Sequence, residues 1–291
     1  MKFASYLNSA GEPAFGVIEG ERIREIASAR ARDLATFLSL PEDERQAVLE
    51  VGRAKEGVSL SSVSLLPVIP HPGKVICLGL NYTEHAKEGG FEVPSHPALF
   101  LRARSSLIAH GEPIVRPKVS EKLDYEAELA VVIGKRCRHV SKEAALDYVG
   151  GYTVFNDGSV RDYQRLTPQW TAGKNFDGTG ALGPYLVTPD ELPPGASGLR
   201  IESRLNGRVM QSSSTSDMIF DVGTTIEFLS AIMTLEPGDV IATGTPPGVG
   251  HARKPPVWMK DGDVCEIEVE GICILRNPIV DEVASPRVLH Q

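Results

Sequence analysis

The 291-residue chain can bury a full core, as one large domain or one domain with a small companion, and its 42% hydrophobic and 23% charged residues are ordinary for a globular protein. The formal net charge is −8 with Lys and Arg scattered, which argues against nucleic acid or an anionic membrane as the main partner. No apolar run approaches a membrane span, no signal-peptide core follows Met1, and Cys77, Cys137, Cys265 and Cys273 lack paired metal spacing, so a reducing, cytoplasmic setting is expected.

Residues 1–70 read as a small N-terminal α/β module. Lys2–Leu7, Ala14–Glu19 and Glu21–Ile26 have the look of short strands. Asp33 is placed to cap a helix through Leu40, and Pro41 to open a second through Ala54. Gly57–Ser64 and the prolines at 67, 70 and 72 form a connector, with His71 a linker residue at its end. The remaining 71–291 form the larger domain.

That domain opens with a buried strand, Lys74–Leu78, followed by a short helix that Asn81 would cap and Gly89-Gly90 would stop. On it His85 and Glu88, three apart, face the same way. A carboxylate beside an imidazole raises its basicity and orients it, as a water-activating base requires; an exposed helix pair is the competing reading. An apolar patch at Pro97–Leu101 and a turn-rich segment from Arg104 to Lys118 lead to Leu123–Gly134.

Leu129–Ile133 is an unbroken apolar run, as expected of a strand buried on both faces. Before it, Glu126 and Glu128 alternate with Ala127, and a strand points residues two apart to one side, about 6–7 Å apart at the backbone. Two anions so held repel each other and lose solvation. Either one takes up a proton, or a cation sits between them, or the strand end surfaces into water.

Ser141 is placed to cap a helix through Tyr148, and Gly151–Phe155 reads as a strand ending in Asn156-Asp157. Asp157 there is either a third oxygen ligand or a turn residue. If a helix starts at Ser159, Arg161 and Gln164 share a face, while Asp162 points elsewhere. Gly178, Gly180 and Gly183 spell a G-x-G-x-x-G, but no strand leads directly in and Pro184 does not continue into an apolar helix, so a dinucleotide site is rejected. Lys174 stands as a lone cation among glycines. Leu199–Leu205, Asn206-Gly207 and Arg208–Gln211 signal a tight hairpin, and Asp221–Met233 an amphipathic helix. A short strand, Asp239–Ala242, runs into Thr243-Gly244-Thr245-Pro246-Pro247-Gly248-Val249-Gly250, a loop whose N–H groups could approach an anion, or simply a long turn. Cys265–Val269 and Ile272–Arg276 give a second hairpin, and Val280–Gln291 a surface tail.

In this order, Gly79-Leu80-Asn81-Tyr82 with His85 and Glu88, Tyr125–Leu129, Asn156–Gln164, Gly173-Lys174 and Thr243–Pro246 resemble the fumarylacetoacetate hydrolase family, which includes acylpyruvate hydrolases and oxaloacetate decarboxylases. The resemblance spans roughly 70–280. It implies an α+β, mostly β fold, a mixed β-roll beside the small N-terminal module, in a homodimer. It implies a divalent cation on Glu126, Glu128 and Asp157, and oxygen-only ligands favour Mg²⁺, Mn²⁺ or Ca²⁺ over zinc. The implied substrate is a small 2-oxo acid of the fumaryl- or maleylpyruvate type met in aromatic catabolism. His85 and Glu88 would activate water, Lys174 would stabilise the pyruvate enolate left by C–C cleavage, and Arg161, Gln164, Tyr82, Thr243, Gly244 and Thr245 would contact substrate. Oxaloacetate decarboxylation, isomerisation of an unsaturated 2-oxo diacid and a catalytically idle scaffold are the alternatives. Two positions depart from the family pattern: Gly158 stands where Val is common, loosening the turn, and Arg102 where Lys is frequent, altering the hold on a distal group.

Overall fold

A computed structural model of the chain describes residues 1–26 and 28–283. Among these residues the architecture is mostly β. A 12-stranded sheet runs in the order Val58–Ser59, Arg22–Glu25, Pro13–Glu19, Lys2–Leu7, Gly180–Val187, Val149–Asp157, Ala127–Ile133, Val240–Ala242, Val75–Gly79, Ala98–Leu101, with two short strands off this path. A five-stranded sheet contains Arg200–Leu205, Arg208–Ser214, Val264–Val269, Cys273–Asp281 and Ile114–Arg116.

Every residue of Ala127–Ile133 is buried. Its alternation sorts two cores: Leu129, Val131 and Ile133 pack with Ile201, Ile267 and Leu275 of the smaller sheet, while Ala130 and Val132 join Phe3, Phe15 and Phe37 on the other side. The N-terminal strands belong to the same large sheet, because Lys2–Leu7 pairs with Gly180–Val187. Helix Glu42–Arg53 starts on Pro41 with Glu42, Asp43 and Glu44 in its first turn, where the helix dipole favours negative charge.

Local signals held where turn chemistry was explicit. Asn206 and Gly207 both take positive φ, 53° and 76°, joining Arg200–Leu205 to Arg208–Ser214 as a two-residue hairpin requires. Asp221 caps helix Val222–Ile232 by accepting from the Thr224 N–H at 2.7 Å. Gly180 and Gly183 lie inside a strand, where no phosphate-binding turn forms. Other expectations fail. The segment from Ser141 yields only a 3₁₀ turn, Ala145–Tyr148. Ser159 starts no helix: Ser159–Val160 pairs with Leu123–Asp124, and the helix is Arg161–Gln164. Of the expected tail, Val280 and Asp281 complete Cys273–Asp281, and 284–291 lie outside the described residues. The four cysteines are free thiols, three of them buried.

Candidate active site

Antiparallel pairing of Ala127–Ile133 with Val149–Asp157 sets Ala127 opposite Asn156 and so brings Asp157 alongside Glu126 and Glu128. Asn156 Oδ1 accepts the Glu126 N–H at 3.1 Å, pinning the strand entrance. One carboxylate oxygen from each of Glu126, Glu128 and Asp157 lies within 4.8 Å of the others, and all three residues are buried.

Burying three carboxylates together requires cations, and the chain supplies them as an alternating series. Arg102 pairs with Asp157, donating also to the Gly158 carbonyl (3.1 Å) and Thr179 Oγ1 (2.8 Å). Lys174 Nζ donates to Asp157 Oδ2 at 2.5 Å and Glu126 Oε2 at 2.6 Å. Arg161 Nη2 lies 2.6 Å from Glu126 Oε1 in an ionic contact without hydrogen-bond alignment, while its Nε donates to Asp124 Oδ2 at 2.8 Å. Burial opposes ionisation of Glu126, yet Arg161 and Lys174 outweigh it and hold this carboxyl well below the usual range. Burial likewise opposes the charge on Lys174, and Asp157 and Glu126 outweigh it, so the ammonium is retained.

Glu128 is treated differently. Among the described residues its one hydrogen-bond donor is the Gly244 N–H, at 3.0 Å. Burial, then the charges of Asp157 and Glu126, push its carboxyl well above the ordinary value. A fully buried acid without a side-chain counter-cation of its own, set beside two more carboxylate oxygens, is a donor set suited to a hard divalent cation. The residues therefore fit a metal, which Glu126, Glu128 and Asp157 would hold.

His85 and Glu88 lie on helix Thr83–Glu88, with His85 Nδ1 2.9 Å from Glu88 Oε1. Glu88 also accepts the Gly248 N–H, tying the dyad to the 243–250 loop. Asn81 is not the helix cap: its amide donates to the Phe220 and Thr243 carbonyls and its oxygen accepts the Phe220 N–H. A buried amide satisfied three ways is a strut between segments far apart in sequence.

These groups meet in one cleft. Its walls include His85, Glu126, Glu128, Arg161, Gln164 and Lys174 of the expected site, together with Thr245. Phe100 and Trp170 close one side, with Lys174 Nζ 5.0 Å from the Phe100 ring centroid. Gln164 Oε1 accepts from Arg161 Nη1 at 2.9 Å.

Three expected substrate contacts sit elsewhere. Tyr82 is 1% exposed and does not line the cleft. Thr243 donates its hydroxyl to the Leu129 carbonyl, and Gly244 gives its N–H to Glu128, so both brace the strand that carries the acid pair. The two departures also act differently from expectation. Arg102 is buried on Asp157, where it orients a carboxylate. A Cβ on Gly158 would stand 2.1 Å from the Thr179 carbonyl, so this glycine permits a close approach and does not loosen a turn.

Asp124 and His251 escaped the sequence reading. Asp124 is fully buried and accepts from Arg161 Nε and the N–H groups of Gly250 (2.7 Å) and His251 (3.0 Å). A polar residue ending the Leu123–Asp124 strand was the available signal.

Residues 74–280 match the family described as fumarylacetoacetate (FAA) hydrolase, C-terminal. A mitochondrial oxaloacetate tautomerase of Xenopus laevis is 42% identical over 247 residues, covering 84% of this chain and 77% of that protein. The solved structure of 2-hydroxyhepta-2,4-diene-1,7-dioate isomerase from Mycobacterium marinum superposes with a TM-score of 0.78 at 36% identity, covering 97% of this chain and 99% of the other. Maleylpyruvate hydrolase from Sphingobium sp. SYK-6 gives a TM-score of 0.80 at 30% identity, covering 97% of this chain and all of the other. With the family match spanning the strands that carry the acid triad, the chain belongs to the fumarylacetoacetate hydrolase family and is an enzyme.

Proposed function

We propose that the enzyme transfers protons at the carbon next to the 2-oxo group of a short 2-oxo acid, with keto–enol interconversion of an oxaloacetate-type diacid as its principal reaction. The observation that carries this reading is the His85–Glu88 dyad, whose imidazole lines the same cleft as Glu126, Glu128 and the buried Lys174. The likeness to the Xenopus laevis oxaloacetate tautomerase supports the same choice. Mg²⁺ or Mn²⁺ on Glu126, Glu128 and Asp157 would supply positive charge for the substrate's carboxylate and 2-oxo oxygens. Glu88 orients the His85 imidazole and stabilises its charged form, so His85 takes or returns the carbon proton. Lys174, kept charged by Glu126 and Asp157, favours the electron-rich enolate.

Hydrolytic C–C cleavage of an acylpyruvate is the second reading. It uses His85 to deprotonate water, and the maleylpyruvate hydrolase likeness favours it. A homodimer belongs to the same proposal. Among the described residues no helix is long and apolar enough to cross a membrane. The test follows the loss of enol-oxaloacetate absorbance with Mg²⁺ and with Mn²⁺, beside pyruvate release from acylpyruvates and from oxaloacetate. Acylpyruvate turnover without enol turnover would replace the first reading by the second.

A further inference from the structure

A second carboxylate-backed imidazole lines the cleft. His251 Nδ1 lies 3.3 Å from Asp124 Oδ2, and the His251 backbone N–H donates to the same oxygen at 3.0 Å. The side chain is 13% exposed, and its exposed part belongs to the cleft wall that His85, Arg161 and Lys174 share. The placement is built. A Cβ on Gly250 would stand 2.0 Å from the Val257 carbonyl and 2.5 Å from Asp124 Oδ1, and without one the loop packs closely enough for two N–H groups to reach Asp124. Asp124, already accepting from Arg161 and from backbone, can offer Nδ1 only an acceptor. Nδ1 therefore carries a proton toward Asp124, and in the neutral imidazole Nε2 is the acceptor, with no hydrogen-bond partner among the described residues.

An acceptor nitrogen in this cleft suits an enol, whose hydroxyl donates, and not a ketone, whose oxygen only accepts. We propose that His251 is a second proton-transfer residue of the cleft, taking the enol hydroxyl proton through Nε2 while His85 serves the carbon. In ketonisation the enol O–H bond breaks and its proton passes to His251 Nε2. The oxygen electron pair forms the C=O bond, and the C=C π pair takes a proton from the His85 imidazolium. Exchange with solvent returns the proton from His251 to His85. This inference rests on the keto–enol reading above.

The test measures kcat and KM for ketonisation of enol-oxaloacetate, and Mn²⁺ affinity, in the wild type, His251→Asn and His251→Ala. Asn keeps an amide donor for Asp124 but has no acceptor in the Nε2 position. We expect kcat to fall at least about 10²-fold, the scale of a lost proton-transfer group, with KM and Mn²⁺ affinity within about twofold. Imidazole added to His251→Ala should restore rate, and pyrrole, which has the ring without the acceptor nitrogen, should not. A kcat within about twofold of wild type, a loss that tracks Mn²⁺ affinity, or equal rescue by pyrrole overturns the inference alone. A wild type that does not ketonise oxaloacetate overturns the keto–enol reading and this inference with it.

Discussion

Glu126 and Glu128 share one acid triad, yet of the two only Glu126 is met by side-chain cations among the described residues. Lys174 and Arg161 hold Glu126 ionised, while Glu128 keeps a single backbone donor and a carboxyl pushed well above its ordinary value by burial, Asp157 and Glu126. In the metal-free protein Glu128 therefore carries a proton where an unfolded Glu has lost it. Because the folded form binds more protons, stability falls as pH rises from the unfolded Glu value of about 4.3 until the raised value is passed, and then levels off. A divalent cation replaces that proton. The rise in Tm on adding Mg²⁺ should be larger at about pH 8 than at about pH 5.5, and calorimetry in two buffers should detect proton release on binding. A Tm rise that is the same at both pH values would remove Glu128 from the binding event.

Lys174 Nζ sits on oxygens of Glu126 and Asp157, two of the three residues that would hold a divalent cation. Lys174→Met removes the ammonium from Glu126 and Asp157, so Mn²⁺ should bind at least as tightly as in the wild type. Turnover should nonetheless fall at least about 10²-fold, since charge stabilisation of the enolate is lost. Mn²⁺ titration and steady-state rates read the two effects separately. A drop in Mn²⁺ affinity parallel to the drop in rate would mean that Lys174 chiefly holds the carboxylates in place.

Arg102 is the buried counter-charge of Asp157, and its other donors go to Ser106 Oγ, Thr179 Oγ1 and the Gly158 carbonyl. Removing one partner of a buried pair costs about 3–5 kcal/mol where the other charge is left alone, and Lys174 Nζ, still 2.5 Å from Asp157 Oδ2, should bring the loss toward the lower end of that range. Arg102→Ala should show that loss in chemical denaturation. Arg102→Lys should retain charge but lose the forked hold, and fall between the two. A loss below about 1 kcal/mol in Arg102→Ala would show that water enters and screens Asp157.

What could be read in advance follows from the range of the interaction. The apolar run Leu129–Ile133, the Glu126–Glu128 alternation and the Asn206-Gly207 turn are set by neighbours a few residues away, and the structure carries them. The helix expected after Ser141 had a cap but reached only a 3₁₀ turn, because Ala144–Tyr148 packs against the sheet and helix Val222–Ile232 and not along a helical stripe. Asn81 suits a cap by type, yet partners 139 and 162 residues away claim its side chain. Arg102 and His251 were beyond reach for the same reason: their carboxylates lie 55 and 127 positions off, and no local period encodes that meeting.

The role of His85 can be separated from that of the loop it touches. Glu88 binds His85 Nδ1 and also the Gly248 N–H, so the dyad could act as a base or as a clasp on the 243–250 loop. As a base, His85 is needed wherever a proton leaves carbon or water, and not where a chelated oxo acid loses CO₂ to an electron sink. His85→Ala should cut enol–keto interconversion and any acylpyruvate hydrolysis at least about 10²-fold, while any oxaloacetate decarboxylation falls less. Glu88→Gln keeps an acceptor for the imidazole N–H and for Gly248, but it cannot balance the imidazolium charge; its losses should have the same pattern at smaller size. The measurement is all three reactions in wild type and both variants under saturating Mg²⁺. If Glu88→Gln and His85→Ala depress the three reactions equally, the dyad is a clasp for the loop, and the proton must be moved by another group in the cleft.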